Sequence, residues 1–199
     1  MQKRLPTDER QAEIVAAALR LARDASPTSI TTSDIASAIG VTQGAVFKHF
    51  PTKDAIWLAA MGWVREQLLA ALIQAAQAAA TPLASLGAVF RAHVAFVASH
   101  PSVPRLIFHE LQQPTDSLVK QEARTLLQAY RKLLISLLAA AAERGQVPAD
   151  LDREAAATLF VGIVQGLVMQ SMLSGKPMSL KAQADRVFAI YLRGICATP

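Results

Sequence analysis

Residues 42–53 read TQGAVFKHFPTK, and several of these side chains have the chemistry of a nucleic-acid reader. A Gln amide carries a donor and an acceptor side by side, so Gln43 can pair bidentately with adenine in a major groove. Gly44 has no side chain to keep a helix N-terminus away from the bases. Thr42 can donate its hydroxyl, and the first amides of the helix it opens can meet a phosphate. Lys48 and Lys53 have the chemistry of phosphate clamps, which position a protein on a duplex and carry little sequence information. Thr32 or Ser33, in the first turn of the preceding helix, could grip the opposite backbone. With Val46 and Phe50 turned inward at i, i+4 spacing, Gln43, Gly44, Phe47 and Lys48 face outward.

The neighbouring residues supply the elements that must hold these groups. Thr31 is an apt N-cap and Asp34 can reach back to its amide, forming a capping box, while Ile30 and Ile35 can staple across the cap. The helix they begin runs through Ala36 and Ile39 and stops at Gly40, a residue that tolerates the left-handed C′ position. Only Val41 separates this stop from Thr42, a second N-cap, and the next helix is expected from Gln43 to about Phe50, halted by Pro51. Two short helices joined by a glycine turn make a helix-turn-helix. Ala36, Gly40 and Val46 stand where the motif needs a small residue, a turn glycine and a buried contact.

From Ile30 to Ile56 the chain resembles the DNA-binding segment of TetR-type transcriptional regulators, through the TxxDIA start, the G-V-T turn, the pair Phe47/Phe50 and the following P-T-K-D. Beyond that segment the resemblance rests on length and helical character. It implies that His49 and Lys53 also face DNA, that helices four to seven enclose a ligand cavity, and that helices eight and nine form a dimer interface. Two positions depart from the family pattern. Ala45 stands where a hydroxyl residue is frequent and Phe47 where a tyrosine is frequent, so two hydrogen-bond donors are missing, and Phe47 is left to pack on a sugar or a thymine methyl.

A chain of 199 residues with 52% hydrophobic residues can bury a sizeable core in one or two domains. Long stretches filled by Ala, Leu, Gln, Glu, Arg and Lys, with only nine glycines, favour an all-α fold. A single cysteine, Cys196, excludes a disulfide framework and a thiolate metal cluster and suits a reducing cytoplasm. No signal peptide is expected, since residues 1–10 are polar and an amphipathic helix follows. Residues 155–169 are the most apolar stretch; it contains Gln165 and falls short of the ~18–20 residues that cross a bilayer, so a buried helix and no membrane partner are expected. The net charge of +5 is a mild lean toward polyanions. Residues 1–53 hold seven Lys/Arg against five Asp/Glu, so the charge is not concentrated in the reader.

Signals for an enzyme are poor. His109-Glu110-Leu111-Gln112-Gln113 begins like a zinc-protease helix but has Gln where the second His must stand. Gly-rich phosphate loops are absent, and the four histidines share no metal-ligand spacing. No catalytic residue, metal or cofactor is expected.

Helical periodicity and breakers give about nine helices: Thr7 or Asp8 to Ala25, the two of the helix-turn-helix, Thr52 to about Ala80, Pro82 to Ser99, Val103 to Gln112, Ser117 to about Arg144 stopped at Gly145, one capped by Asp150 or Asp152 reaching Leu173, and one capped by Ser179 reaching Ala197. Lys3 and Arg4 precede the first as a short basic arm, either a phosphate or minor-groove contact or a terminus without a role. A DNA-binding domain over 1–52 and a helical effector-binding and dimerisation domain over 53–199 are expected.

For the cavity, Met61, Val64, Phe90, His93, Val97, Phe108, His109, Tyr130, Gln165 and Met169 are candidates, apolar and aromatic groups with a few polar ones among them. Gln165 and His93 fit an apolar core least well. For the dimer interface, Gly162 and Gly166 at i, i+4, Met169, and Val187 and Tyr191 on the last helix are candidates, because interior glycines cost about 1 kcal/mol each relative to alanine and call for close helix packing. The sequence therefore points to an all-α, homodimeric, cytoplasmic regulator that binds a palindromic double-stranded operator and is released by a small, mainly apolar effector. Two alternatives stay open: an architectural DNA binder without effector, and a helical small-molecule-binding protein or enzyme with a vestigial helix-turn-helix.

Overall fold

The computed structural model describes residues 6–174 and 180–196. Lys3 and Arg4, the Ser179 cap and the Gly175-Lys176-Pro177 break lie outside the described residues. Within them the chain forms α1 (Thr7–Leu21), α2 (Thr32–Ala38), α3 (Gln43–Phe47), α4 (Lys53–Gln77), α5 (Pro82–Ser99), α6 (Ser102–Gln112), α7 (Leu118–Glu143), α8 (Arg153–Ser174) and α9 (Leu180–Ile195), with no strand among the described residues. The all-α expectation holds.

Two boundaries differ in an instructive way. The first helix ends at Leu21, and residues 22–24 continue as turns. The recognition helix ends at Phe47, not Phe50: Lys48 is its C-cap, and the His49 and Phe50 amides both donate to the Val46 carbonyl. Competing i→i−3 and i→i−4 bonds on one acceptor tighten and finish the helix before Pro51 is reached.

The chain divides into two compact units, one of Met1–Glu66 with Pro101–Thr125, the other of Gln67–His100 with Leu126–Pro199. This differs from a cut at 52/53. The first unit takes the start of α4, all of α6 and the start of α7 along with the three N-terminal helices. In it Ile14, Ala17, Ala18, Ile35, Ala36, Val46, Ile56 and Met61 are buried, and α6 packs on α1. In the second unit α5, α8 and α9 pack together. Its centre is a cluster of rings: Phe90 stacks on Phe188 at 4.7 Å, and Phe160 meets Phe90, Tyr130, Phe188 and Tyr191 edge-on.

By length and composition alone α4, α5, α7 and α8 could each cross a bilayer. The expectation that 155–169 is too short is thereby corrected, since α8 extends over 22 residues. Its apolar side chains are nonetheless sorted, with Ala156, Phe160, Val164 and Leu167 buried.

Two helices end on a left-handed glycine, as their sequence suggests. Gly40 has φ +69° and Gly145 has φ +65°. At the first, the Val41 amide donates to the Ala36 carbonyl and the Gly40 amide to Ser37; at the second, Gln146 donates to Ala141 and Gly145 to Ala142. Both are Schellman closures, which need a residue that accepts positive φ. Gly40→Ala is expected to lower stability by about 1–2 kcal/mol in urea unfolding. Gly62→Ala, inside α4 with nothing within 4 Å of the added methyl, is expected to raise it by about 0.5–1 kcal/mol.

Candidate nucleic-acid interface and effector residues

The reader is assembled from capped short helices. Thr31 accepts from the Asp34 amide at 3.1 Å, while the Thr31 amide and hydroxyl donate to the Asp34 carboxylate at 2.8 and 2.7 Å. The amide bond, and then the hydroxyl bond, hold the Asp34 carboxyl below its usual range. Ile30 and Ile35, the expected staple, are both buried. Thr42 caps α3 by accepting from the Ala45 amide at 3.3 Å, which leaves its own hydroxyl hydrogen available. Val46 is fully buried beneath the short helix, and Phe50 is buried beyond it.

Of the expected DNA-facing residues, Ser33, Thr42, Gln43, Gly44, Phe47 and Lys48 are exposed, while Ala45 and His49 are half-buried. Phe47 keeps 44% of its surface exposed, an apolar ring on a polar face. Gly44 has nothing within 4 Å of an added methyl. The protein itself therefore does not require glycine there.

Two residues take roles that differ from a phosphate contact. Lys53 turns its ammonium inward, donating to the carbonyls of Thr28 at 2.9 Å, Ile30 at 3.1 Å and Pro27 at 3.4 Å. Its three N–H groups are thus taken up by the loop between α1 and α2, because that loop ends with carbonyls that no helix satisfies. Thr32 is buried to 8% exposure, and its hydroxyl accepts from the Gln43 amide nitrogen at 2.6 Å. Ser33, not Thr32, presents a hydroxyl to solvent. Gln11 adds a bond from α1 to the His49 carbonyl at 3.3 Å. His49 Nδ1 and Trp57 Nε1 are buried, and among the described residues neither finds a hydrogen-bond partner.

The effector candidates fall into both units. Met61 and Val64 are buried in the first, with Phe108 half-buried there. His109, also half-buried, brings its Nε2 to 3.4 Å from the Thr28 hydroxyl. In the second unit Phe90, Val97 and Tyr130 are buried, and His93 Nδ1 lies 3.2 Å from the Tyr130 hydroxyl. Burial lowers His93 to about 4 and, with a smaller contribution from Tyr191, raises Tyr130 above its ordinary value. Both are therefore neutral at physiological pH, a polar pair inside an apolar cluster. Gln165 and Met169 are corrected: both are exposed on α8 and neither lines the interior. Gln165 looked misplaced in an apolar run because α8 alternates a buried face with an uncovered apolar one.

Among the dimer candidates, Gly162 is exposed, Gly166 and Val187 are half-buried, and Met169 is exposed. Tyr191 is corrected. It is buried to 3% exposure, donates to the Ala156 carbonyl at 3.2 Å and stacks on Phe188, so it belongs to the core.

Comparison with known proteins decides the family. The pattern of the bacterial regulatory proteins of the tetR family matches residues 14–60, and that of tetracyclin repressor-like C-terminal domains matches residues 110–187. The HTH-type transcriptional regulator BetI of Rhizobium meliloti is 30% identical over 87% of this chain and 83% of its own. The chain belongs to the tetR family. This tetR-family chain is a helix-turn-helix transcriptional regulator, and members of the family are DNA-binding regulators, not enzymes. Solved structures carry the same fold. A tetR-family regulator from Haloarcula marismortui superposes with a TM-score of 0.84 at 18% identity, covering 96% of this chain and 100% of that one. FadR of Bacillus subtilis, solved in complex with stearoyl-CoA, gives 0.82 at 21% identity, covering 92% and 98%.

Two outcomes follow for the regulator. Gly44→Ala is expected to stabilise the free protein by up to about 1 kcal/mol, since alanine is the better helix former, and to weaken binding to its DNA site at least ~10-fold by placing a methyl against the bases. Thermal melting and fluorescence anisotropy on one preparation separate the two. For His93, a folded pKa near 4 against an ordinary 6.5 means that the unfolded chain binds the extra proton. Stability is then full above pH 6.5 and falls as pH drops toward 4, by at most about 1.4 kcal/mol per pH unit. Urea unfolding at pH 7 and pH 5 is expected to show a smaller pH loss in His93→Gln than in the wild type.

Proposed function

We propose that the protein is a homodimeric repressor that holds a palindromic operator until a small, mainly apolar effector releases it. The observation that carries the reading is the exposed edge formed by Thr42, Gln43 and Gly44, a capped helix start with a base-reading amide and no side chain beside it. Phosphate contacts from Ser33, Lys48 and the helix start position that edge, and Gln43 supplies the sequence information. His49, half-buried, contributes its outer edge.

The dimer is supported by an uncovered apolar face on α8 and α9. Leu159, Met169, Met172, Leu173 and Ile190 are exposed, Leu173 to 79% and Ile190 to 61%. Added methyls at Gly162 and Gly166 would meet nothing within 4 Å, so a single chain gives these glycines no packing role. A second copy does, by bringing a helix against them. A two-fold pair also presents two recognition helices to two half-sites one helical turn or a multiple apart.

For the effector, the His93–Tyr130 pair among Phe90 and Phe160 supports an apolar molecule with one polar group. FadR of Bacillus subtilis was solved with stearoyl-CoA, and a fatty or similarly long apolar ligand suits these side chains here. The protein acts where the DNA is, in the cytoplasm. A ligand shifts the regulator only by binding its DNA-released state better than its DNA-bound state.

Selection from a random duplex pool, followed by sequencing, is expected to enrich a palindrome, and light scattering to give a mass twice 21.3 kDa. A variant carrying Leu159→Glu and Ile190→Glu is expected to remain helical, to become monomeric and to lose operator affinity at least ~100-fold. Uniform, steeply salt-dependent binding to every duplex would replace the reading with architectural DNA binding.

A further inference from the structure

The bond between Gln43 and Thr32 bears on how the base is read. Gln43 stands exposed at the start of α3, where a side chain of that length ordinarily rotates freely. Here its amide nitrogen donates to the Thr32 hydroxyl at 2.6 Å, and Thr32 lies in the first turn of α2, buried and fixed by the capping box beside it. A primary amide has two N–H hydrogens, one on the side of its own oxygen and one directed away. Bidentate pairing with adenine uses the oxygen and the hydrogen on the same side. The hydrogen directed away can serve Thr32 without removing anything from the reading edge.

We propose that Thr32 is a positioning residue for base recognition: its buried hydroxyl anchors the end of the Gln43 side chain, so that the free edge of the amide is held ready for the groove before DNA arrives. The inference rests on the reading of the chain as a sequence-specific operator binder. Without the tie, the Gln43 side chain gives up its rotamer freedom only on binding and can settle against other bases as readily. A grip of Thr32 on the DNA backbone, the other role for a hydroxyl at this position, is disfavoured by its burial; Ser33 is the exposed hydroxyl of that turn.

The test compares Thr32→Val, which replaces the hydroxyl with a methyl of similar size, with Thr32→Ser, which restores it. Binding is measured against the duplex selected by the wild type and against versions changed at single base pairs, at two salt concentrations. Thr32→Val is expected to reduce discrimination at one base position per half-site by at least about 5-fold, within the roughly 5- to 150-fold range of a bidentate contact, with the salt dependence unchanged. Thr32→Ser is expected to recover it, and Thr32→Val combined with Gln43→Ala to lose no more than Gln43→Ala alone. Unchanged discrimination in Thr32→Val overturns the proposal. So does a loss that is equal on all duplexes with a salt slope reduced by about one, the signature of a phosphate contact. A readout independent of the variants is hydrogen exchange of the Gln43 side-chain amide in free wild-type protein. One slow and one fast hydrogen are expected, and two equally fast hydrogens overturn the tie. A wild type that selects no sequence sinks the operator reading as well, whereas a wild type that selects a site while Thr32→Val matches it sinks this inference alone.

Discussion

Helices of seven and five residues are too short to persist in water, because nucleation costs more than so few hydrogen bonds return. That constraint governs the DNA-reading part of this regulator. Each end of α2 and α3 needs partners for its unpaired amides and carbonyls, and the chain supplies several of them from side chains and backbone within a few residues. Thr31 and Asp34 serve one start, Thr42 the other, and the Gly40 closure satisfies the end of α2. The remaining support is tertiary. Val46 is driven into the core, Gln11 reaches the His49 carbonyl, and Lys53 gathers three carbonyls from the loop before α2.

Lys53 illustrates how the same charge can serve two ends. An ammonium near DNA is readily taken for a phosphate clamp, and family resemblance places it there. Yet three loop carbonyls without helical partners form a stronger local demand, since a carbonyl left unpaired and partly buried costs on the order of 1–3 kcal/mol. Satisfying it from the first residue of α4 fixes that helix to the reader at its very start. Under the proposed function, positioning on the duplex falls to groups that have no such internal demand, Lys48 and Ser33 among them, and base reading to Gln43.

The fold was legible in the sequence wherever a local rule decided it. Caps, glycine stops and the alternation of buried positions are consequences of chemistry within a few residues, so α2, the Gly40 turn, α5 and the Gly145 stop could all be read directly. Positions decided by distant partners were not. Nothing near Lys53 announces the carbonyls of Pro27, Thr28 and Ile30, and nothing near Thr32 announces Gln43. Gln165 and Tyr191 failed for a related reason. In α8 both the inner face and an uncovered face are apolar, so hydropathy alone does not tell which side holds a polar residue, and a tyrosine on α9 is equally suited to a surface or to a core that offers it the Ala156 carbonyl. Family resemblance could not help with these, because it assigns positions and not partners.

The way α4 and α7 are shared between the two compact units limits how an effector can act. Each helix is uninterrupted, α4 over 25 residues and α7 over 26, and each contributes its beginning to the reader's unit and its remainder to the other. A hydrogen-bonded helix does not bend sharply without a proline, a π-bulge or an inserted group, and neither helix contains proline. A different packing within the second unit therefore meets two helices that resist being bent part-way along their length. Breaking either one would expose backbone groups at a cost of several hydrogen bonds. Rigid displacement needs only that side-chain contacts exchange, and the start of α4 is where Lys53 ties the helix to the loop that precedes α2.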